Sequence, residues 1–155
     1  MAVNPIPDGY PQVIPYLIIP NPARQIEFLT TVFGARETGR HTMPDGSINH
    51  AEVRIGESVI MMGGSSPQWP TATCAIYIYV EDTDAAYKRA LEAGATSIQE
   101  PKDQFYGDRS AGVKDEFGNQ WFIGTHIEEM SPEEMKRRSD VVLAERAKAG
   151  AAAKG

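Results

Sequence analysis

Apolar residues in this chain fall into short alternating or β-branched runs broken by turn residues, with two stretches of helical spacing set between them. The run "QVIPYLIIP" (12–20) is β-branched and aromatic and predicts a strand with a proline at each end of its centre. In "NPARQIEFLTTVFG" the period changes. Ile26, Leu29 and Phe33 share a helical face, Asn21 suits the N-cap, Pro22 the first turn and Gly34 the end. Three strand-like runs follow, "ARETGRHTM", "INHAEVRI" and "VIMM", joined by turns at 44–47 and 56–58. The proline-rich first dozen residues predict an arm rather than an element.

The order then repeats. "TCAIYIYV" predicts a strand, and "DTDAAYKRALEAGA" a helix opened by Asp82 or Thr83 and closed near Gly94. "TSIQE", "SAGVKD" and "QWFIGTH" predict three more strands, separated by the loop "FYGDR" and the turn "EFGN". Gly34 and Gly94 stand 60 residues apart, as do Val53 and Val113, which marks an internal duplication. The predicted class is α+β, with two tandem βαβββ modules, about 12–63 and 73–127. They form a curved mixed sheet with a concave cleft and are joined by a Gly/Ser/Pro-rich linker at 64–72. Ser131, Pro132, Glu133 and Glu134 open a C-terminal helix over about 131–148, before an alanine-glycine tail expected to fray. All of this reads as one domain, 1–155.

Composition narrows the function classes. A net charge of −6 argues against nucleic acid, and the one basic cluster, Lys136–Arg138, sits among acidic residues on the predicted last helix. Cys74 is the single cysteine, so no internal disulfide or multi-cysteine metal site is available, and its strand context predicts a buried, inert thiol. No apolar run approaches the roughly 18 residues of a membrane span, and the N-terminal segment lacks the pattern of a secretory leader. A cytoplasmic protein is the expectation. No G-x-G-x-x-G, P-loop or H-E-x-x-H motif occurs.

Paired βαβββ modules with the second ending in "DEFGNQWFI" resemble the vicinal oxygen chelate superfamily of glyoxalases, extradiol dioxygenases and bleomycin- and fosfomycin-resistance proteins. "HAEVRIGESVIMM", "YGDRSAGVKDEFGNQWFIGTH" and "EEMSPEEMKRR" are similar to its PhnB-like branch. The chain departs from that branch in "LTTVFGA" and in Glu116–Phe117, where Pro–Phe is commoner. In the metalloenzymes of the superfamily, ligands come from the first and last strands of each module. The resemblance carries those positions onto Ile14, Met61, Ala75 and Phe122, none of which suits a divalent ion. The expectation is therefore no metal and no cofactor.

Strand alternation extends these positions to a whole face. Ile14, Tyr16, Ile18, His50, Glu52, Arg54, Val59 and Met61 should line the cleft. So should Ala75, Tyr77, Tyr79, Ser110, Gly112, Gln120, Phe122 and His126 from the second module. Leu17, Ile19, Val53, Ile55, Cys74, Ile76, Ile78, Val113, Trp121 and Ile123 should pack under the helices. Candidate ligand contacts are Tyr16, His50, Arg54, Met61, Tyr77, Tyr79, Tyr106, Gln120 and Phe122, with His50 and Glu52 the candidate catalytic pair. Tyr106 is placed on a lid formed by 103–109, with Asp108 and Arg109 as polar contacts or as members of a local ion pair. Trp69 is a second wall for the pocket or an interface anchor; His41 is expected to be solvated, and His126 to be structural or, with His50, part of a nonstandard metal site.

Three functional readings follow. One is a metal-independent protein that holds a hydrophobic or aromatic small molecule between the modules, as drug-sequestering resistance proteins of the superfamily do. Another is a metal-dependent or His/Glu-based lyase, isomerase or dioxygenase. The third is a ligand-free structural dimer with its cleft plugged by Tyr77, Tyr79 and Phe122. The resemblance implies a homodimer, with modules exchanged between subunits as an option.

Overall fold

The computed structural model describes residues 3–152. Module one comprises β1 (Tyr16–Ile19), α1 (Pro22–Phe33), β2 (Arg36–Thr42), β3 (Ile48–Ile55) and β4 (Ser58–Gly64). Module two comprises β5 (Ala75–Tyr79), α2 (Thr83–Glu92), β6 (Thr96–Asp103), β7 (Asp108–Lys114) and β8 (Gln120–His126), and α3 (Pro132–Ala152) follows. Each module contributes a four-stranded mixed sheet. The strand orders are β1-β4-β3-β2 and β5-β8-β7-β6, so the duplication holds in topology as well as in residues. In both sheets the first and last strands of the module run parallel and the other pairs are antiparallel.

Local chemistry sets the ends of the helices. The Asn21 side chain accepts from Arg24 N at 3.2 Å, and Asp82 accepts from Ala85 N at 2.9 Å. Gly34 ends α1 in the left-handed region (φ 66°), where its N–H reaches Thr30 O. α1 and α2 each lie on the sheet of their own module and also touch each other. Trp121 from β8 packs against Phe28 and Phe33 of α1, with ring centroids at 6.3 and 5.5 Å. Leu17, Ile19, Val53, Val113, Trp121 and Ile123, all placed under the helices from sequence, are buried in one core that spans both modules.

The turn "DEFGN" is the structural key to β8. Asp115 is buried, and its Oδ1 accepts from Phe117 N (3.0 Å) and Asn119 N (2.9 Å). Its Oδ2 accepts from Asn119 Nδ2 (3.2 Å) and Trp121 Nε1 (2.9 Å), while Gly118 supplies the positive φ of 92°. One carboxylate therefore closes the hairpin and anchors the core tryptophan.

Several boundaries differ from the sequence reading. β1 starts at Tyr16 rather than Gln12, because Pro15 has no N–H to give; its carbonyl still accepts from Met61 N at 3.0 Å. Asp108 and Arg109 belong to β7, which shortens the predicted loop to 104–107. β6 continues through Pro101 to Asp103, at the sheet edge where a missing donor is tolerated, with a register irregularity between Gln99 and Lys102. α3 runs to Ala152 rather than 148 and buries no residue; the end of the tail, 153–155, lies outside the described residues. Val59, expected to line the cleft, is buried.

Asp115→Ala leaves the buried Trp121 N–H and the turn amides without their acceptor. Urea unfolding should show a loss of about 3 kcal/mol relative to the unaltered chain, with the midpoint shifted and the slope retained.

Candidate functional site

The sheet faces turned away from the helices carry the site. Tyr16 (50% exposed), Tyr77 (44%) and Tyr79 (64%) stand on them, which is unusual exposure for such large rings. The period of two in each strand puts them there, since their neighbours Leu17, Ile76 and Ile78 go to the core side. Met61 lies in register with Tyr16 and Glu52, and Phe122 with Tyr77 and Gly112. Gln120, exposed, pairs with Ala75 and Lys114.

Tyr16 and Tyr77 each lie over a glycine of the neighbouring strand. A methyl added at Gly63 would come 2.8 Å from Tyr16 Oη, and one at Gly124 would overlap the Tyr77 hydroxyl and sit 2.8 Å from its Cζ. Both tyrosines and both glycines recur 61 residues on, at 16 and 77 and at 63 and 124. The repeat therefore preserves a flat-lying ring on each open face. That spacing was the sequence signal for Gly63 and Gly124, and reading the tyrosines alone missed it.

In module one the ring heads a polar chain. Tyr16 Oη lies 3.2 Å from His50 Nδ1, and His50 Nε2 lies 3.3 Å from Glu52 Oε1. Glu52 Oε2 accepts from Tyr10 Oη at 2.6 Å. That bond, aided by His50 and set against the cost of burial, holds the Glu52 carboxyl below its usual range. Arg54 donates to Gly9 O at 2.7 Å and stacks over the Tyr10 ring, 5.4 Å from its centroid. The N-terminal arm thus crosses this face and takes up the Glu52 and Arg54 side chains, a role for Tyr10 that the sequence reading missed. Both ring nitrogens of His50 have partners within the chain. Tyr16, Ile18, His50, Gly63 and the exposed Trp69 line a depression of about 580 Å³ on the same face.

In module two the hub is Asp108, which is 4% exposed. Its Oδ2 accepts from Tyr79 (2.8 Å) and Tyr77 (3.1 Å), and its Oδ1 meets His126 Nδ1 at 2.8 Å. Burial pushes the Asp108 carboxyl up, but the bonds from His126, Tyr79 and Tyr77 outweigh it and leave the group below its ordinary value. Burial raises the Tyr77 phenol well above 10, and the bond to Asp108 raises Tyr79. The Asp108 bond likewise raises the His126 imidazole. The two rings meet at 5.1 Å between centroids and 56° between planes, so Asp108 holds an aromatic wall in fixed geometry. Tyr77, Tyr79 and Val59 line a depression of about 480 Å³ with Pro11, Val13 and Pro15 of the arm, which draws on both modules and reaches the core side at Ile76, Ile78 and Trp121. Tyr106 is half-buried in the 104–107 turn, edge-on to Phe105 at 5.3 Å. Arg109 turns instead to Asp84 and Asp103 in a local ion pair.

A family model described as the Glyoxalase/Bleomycin resistance protein/Dioxygenase superfamily matches residues 11–123, well over half of the chain. The chain belongs to this superfamily. An uncharacterized protein of Mycobacterium bovis, Mb0911c, is 35% identical over 147 residues, 88% of this chain and 94% of its own. TioX from Micromonospora sp. ML1 superposes with a TM-score of 0.64 at 26% identity, covering 76% of this chain and 99% of its own. TnmS3, an antibiotic binding protein from Streptomyces sp. CB03234, gives 0.59 at 17% identity over 81% and 98%, a likeness of fold alone.

Metal-dependent enzymes of this superfamily raise the question of a cation. Of the four inherited positions, Ile14, Ala75 and Phe122 offer no donor and Met61 only a thioether, which suits soft ions rather than a divalent one. Among the described residues no three His, Cys, Asp or Glu side chains converge on one point. The donor set does not fit a divalent metal at the inherited site.

The Asp108–His126 pair predicts a definite pH response. The raised His126 pKa contributes stability below the unfolded value near 6.5, which is lost as pH rises through the folded pKa. The lowered Asp108 pKa contributes above 3.8 and is lost on acidification through the folded pKa. An NMR titration should find His126 titrating above 6.5 and moving down in Asp108→Asn; an unmoved midpoint would break the pairing.

Proposed function

We propose that this protein is a metal-independent receptor that holds an aromatic or hydrophobic small molecule against the open faces of its sheets. One observation carries the reading. Tyr77 lies over Gly124 and, with the exposed Tyr79, is held by the buried Asp108 carboxylate, which prepares an aromatic surface before any ligand arrives. Rings held in this way stack on planar ligands at little entropic cost. The inherited metal positions carry no electrophile for turnover, so capture is the function that the donor set supports. TnmS3 is an antibiotic binding protein on the same fold, and sequestration of a toxic aromatic compound agrees with that likeness.

The finer parts of the reading belong to the same proposal. The motifs similar to the PhnB-like branch support membership of that branch. Its exposed tyrosine faces suit a homodimer in which a second copy closes each cleft. No helix among the described residues is long and apolar enough to cross a membrane, and a cytoplasmic location is the one proposed.

Isothermal titration of chelator-treated protein tests the function. 1-Naphthalenemethanol should bind at least about tenfold more tightly than cyclohexanemethanol, a gap near 1.4 kcal/mol. Tyr77→Ala, or Gly124→Ala, which displaces the Tyr77 ring without removing it, should each weaken the aromatic probe by about three- to tenfold. Binding that appears only on adding a divalent metal, or that does not distinguish the two probes, would overturn the reading.

A further inference from the structure

The aromatic wall of module two has a polar edge that stacking alone does not use. Asp108 receives three donors, two phenolic hydroxyls and His126 Nδ1, and its buried carboxylate is turned to them rather than to the surface. The Tyr77 and Tyr79 hydroxyls are spent in the same bonds. The one group of this cluster that turns a nitrogen outward is His126, whose Nε2 lies 3.4 Å from Glu129 Oε1. Glu129 is 95% exposed and His126 about half-exposed. A carboxylate from a surface segment therefore rests on the imidazole in the open, where a ligand of the same chemistry could replace it.

The surroundings agree. His126 and Tyr79 also line a groove of about 820 Å³ that reaches Phe33, Ile55 and Gly56 of module one. The N-terminal end of α2 borders this groove: Thr83 N donates to Thr125 Oγ1 at 3.0 Å, beside His126 in sequence. That end carries the positive pole of a ten-residue helix. The groove wall carries two carboxylates, Glu81 and Asp82, the latter bonded to the Ala85 amide, and one cation, Arg89. The Asp108 bond favours the protonated imidazole, the form with an N–H at Nε2.

We propose that this face takes an aromatic ligand bearing an acidic group, with the ring against Tyr77 and Tyr79 and the carboxylate or phenolate on His126 Nε2 in the place that Glu129 occupies. The inference rests on the aromatic-receptor reading above and names its ligand class. His126 is the residue that selects charge, the tyrosine pair selects ring shape, and Asp108 positions both.

Titration of the full-length chain at pH 6.5 with 1-naphthoate and 1-naphthalenemethanol separates the two layers of the proposal. In the unaltered protein naphthoate should bind at least about fivefold more tightly than the alcohol, consistent with a charge-assisted bond. His126→Gln should abolish that preference, read as the ratio of the two affinities within the variant, and Glu129→Gln should tighten naphthoate by removing its competitor. Equal affinity for acid and alcohol, or a preference that survives His126→Gln, overturns the acidic-ligand assignment while leaving the aromatic receptor standing. Binding of neither probe overturns both.

Discussion

Each strand of this protein gives alternate side chains to the helices and to the outside, and that division governs everything built on the two sheets. A slip of one residue in β5 would send Tyr77 and Tyr79 to the helix side of the sheet and expose Ile76 and Ile78. The register is held where the chain can hold it most firmly. Asp115 closes the β7–β8 hairpin and fastens Trp121, which then packs against Phe28 and Phe33 of the other module. The turn that carries the family resemblance is thus a structural clamp. Its effect on the site is indirect but strict, because seating Trp121 inward turns Phe122 outward.

Duplication gave the two modules the same ring-over-glycine device, and they have since used it differently. In module one Tyr16 meets a histidine, and the N-terminal arm lies across the neighbouring Glu52 and Arg54 through Tyr10 and Gly9. In module two Tyr77 and Tyr79 share a buried carboxylate with His126, and the rings stay open. On one face the arm takes up the polar side chains beside the ring, while the other presents an ordered aromatic wall with a histidine at its edge. The physical difference lies in Asp108, since a buried carboxylate with three donors holds its neighbours far more firmly than a surface pair could.

Much of this was legible in the sequence. The periods of Ile26, Leu29 and Phe33 and of the strands located the elements, and the 60-residue echo revealed the modules. Alternation then placed Leu17, Val53, Trp121 and Ile123 in the core. The contacts that decide the site were less visible. Tyr10 reaches Glu52 across 42 positions, and no local pattern signals where a proline-rich arm will lie. Asp108 read as a loop residue because Gly107 marks a turn; its burial depends on tyrosines from a strand 29 and 31 residues earlier. Val59 alternates to the cleft side, yet it is buried in a depression shared with arm residues Pro11, Val13 and Pro15. Boundaries failed where proline chemistry was borderline, at Pro15 and Pro101. Tertiary contacts between distant segments account for the rest.

The most direct measurement is where an aromatic ligand touches the protein in solution. With 1-naphthalenemethanol bound to metal-free protein, intermolecular NOEs should connect its ring protons to those of Tyr77 and Tyr79. The buried Trp121 indole, on the opposite side of the same sheet, should show none. Contacts confined to the helices or to α3, with the tyrosine rings untouched, would show that the open faces are not the receptor.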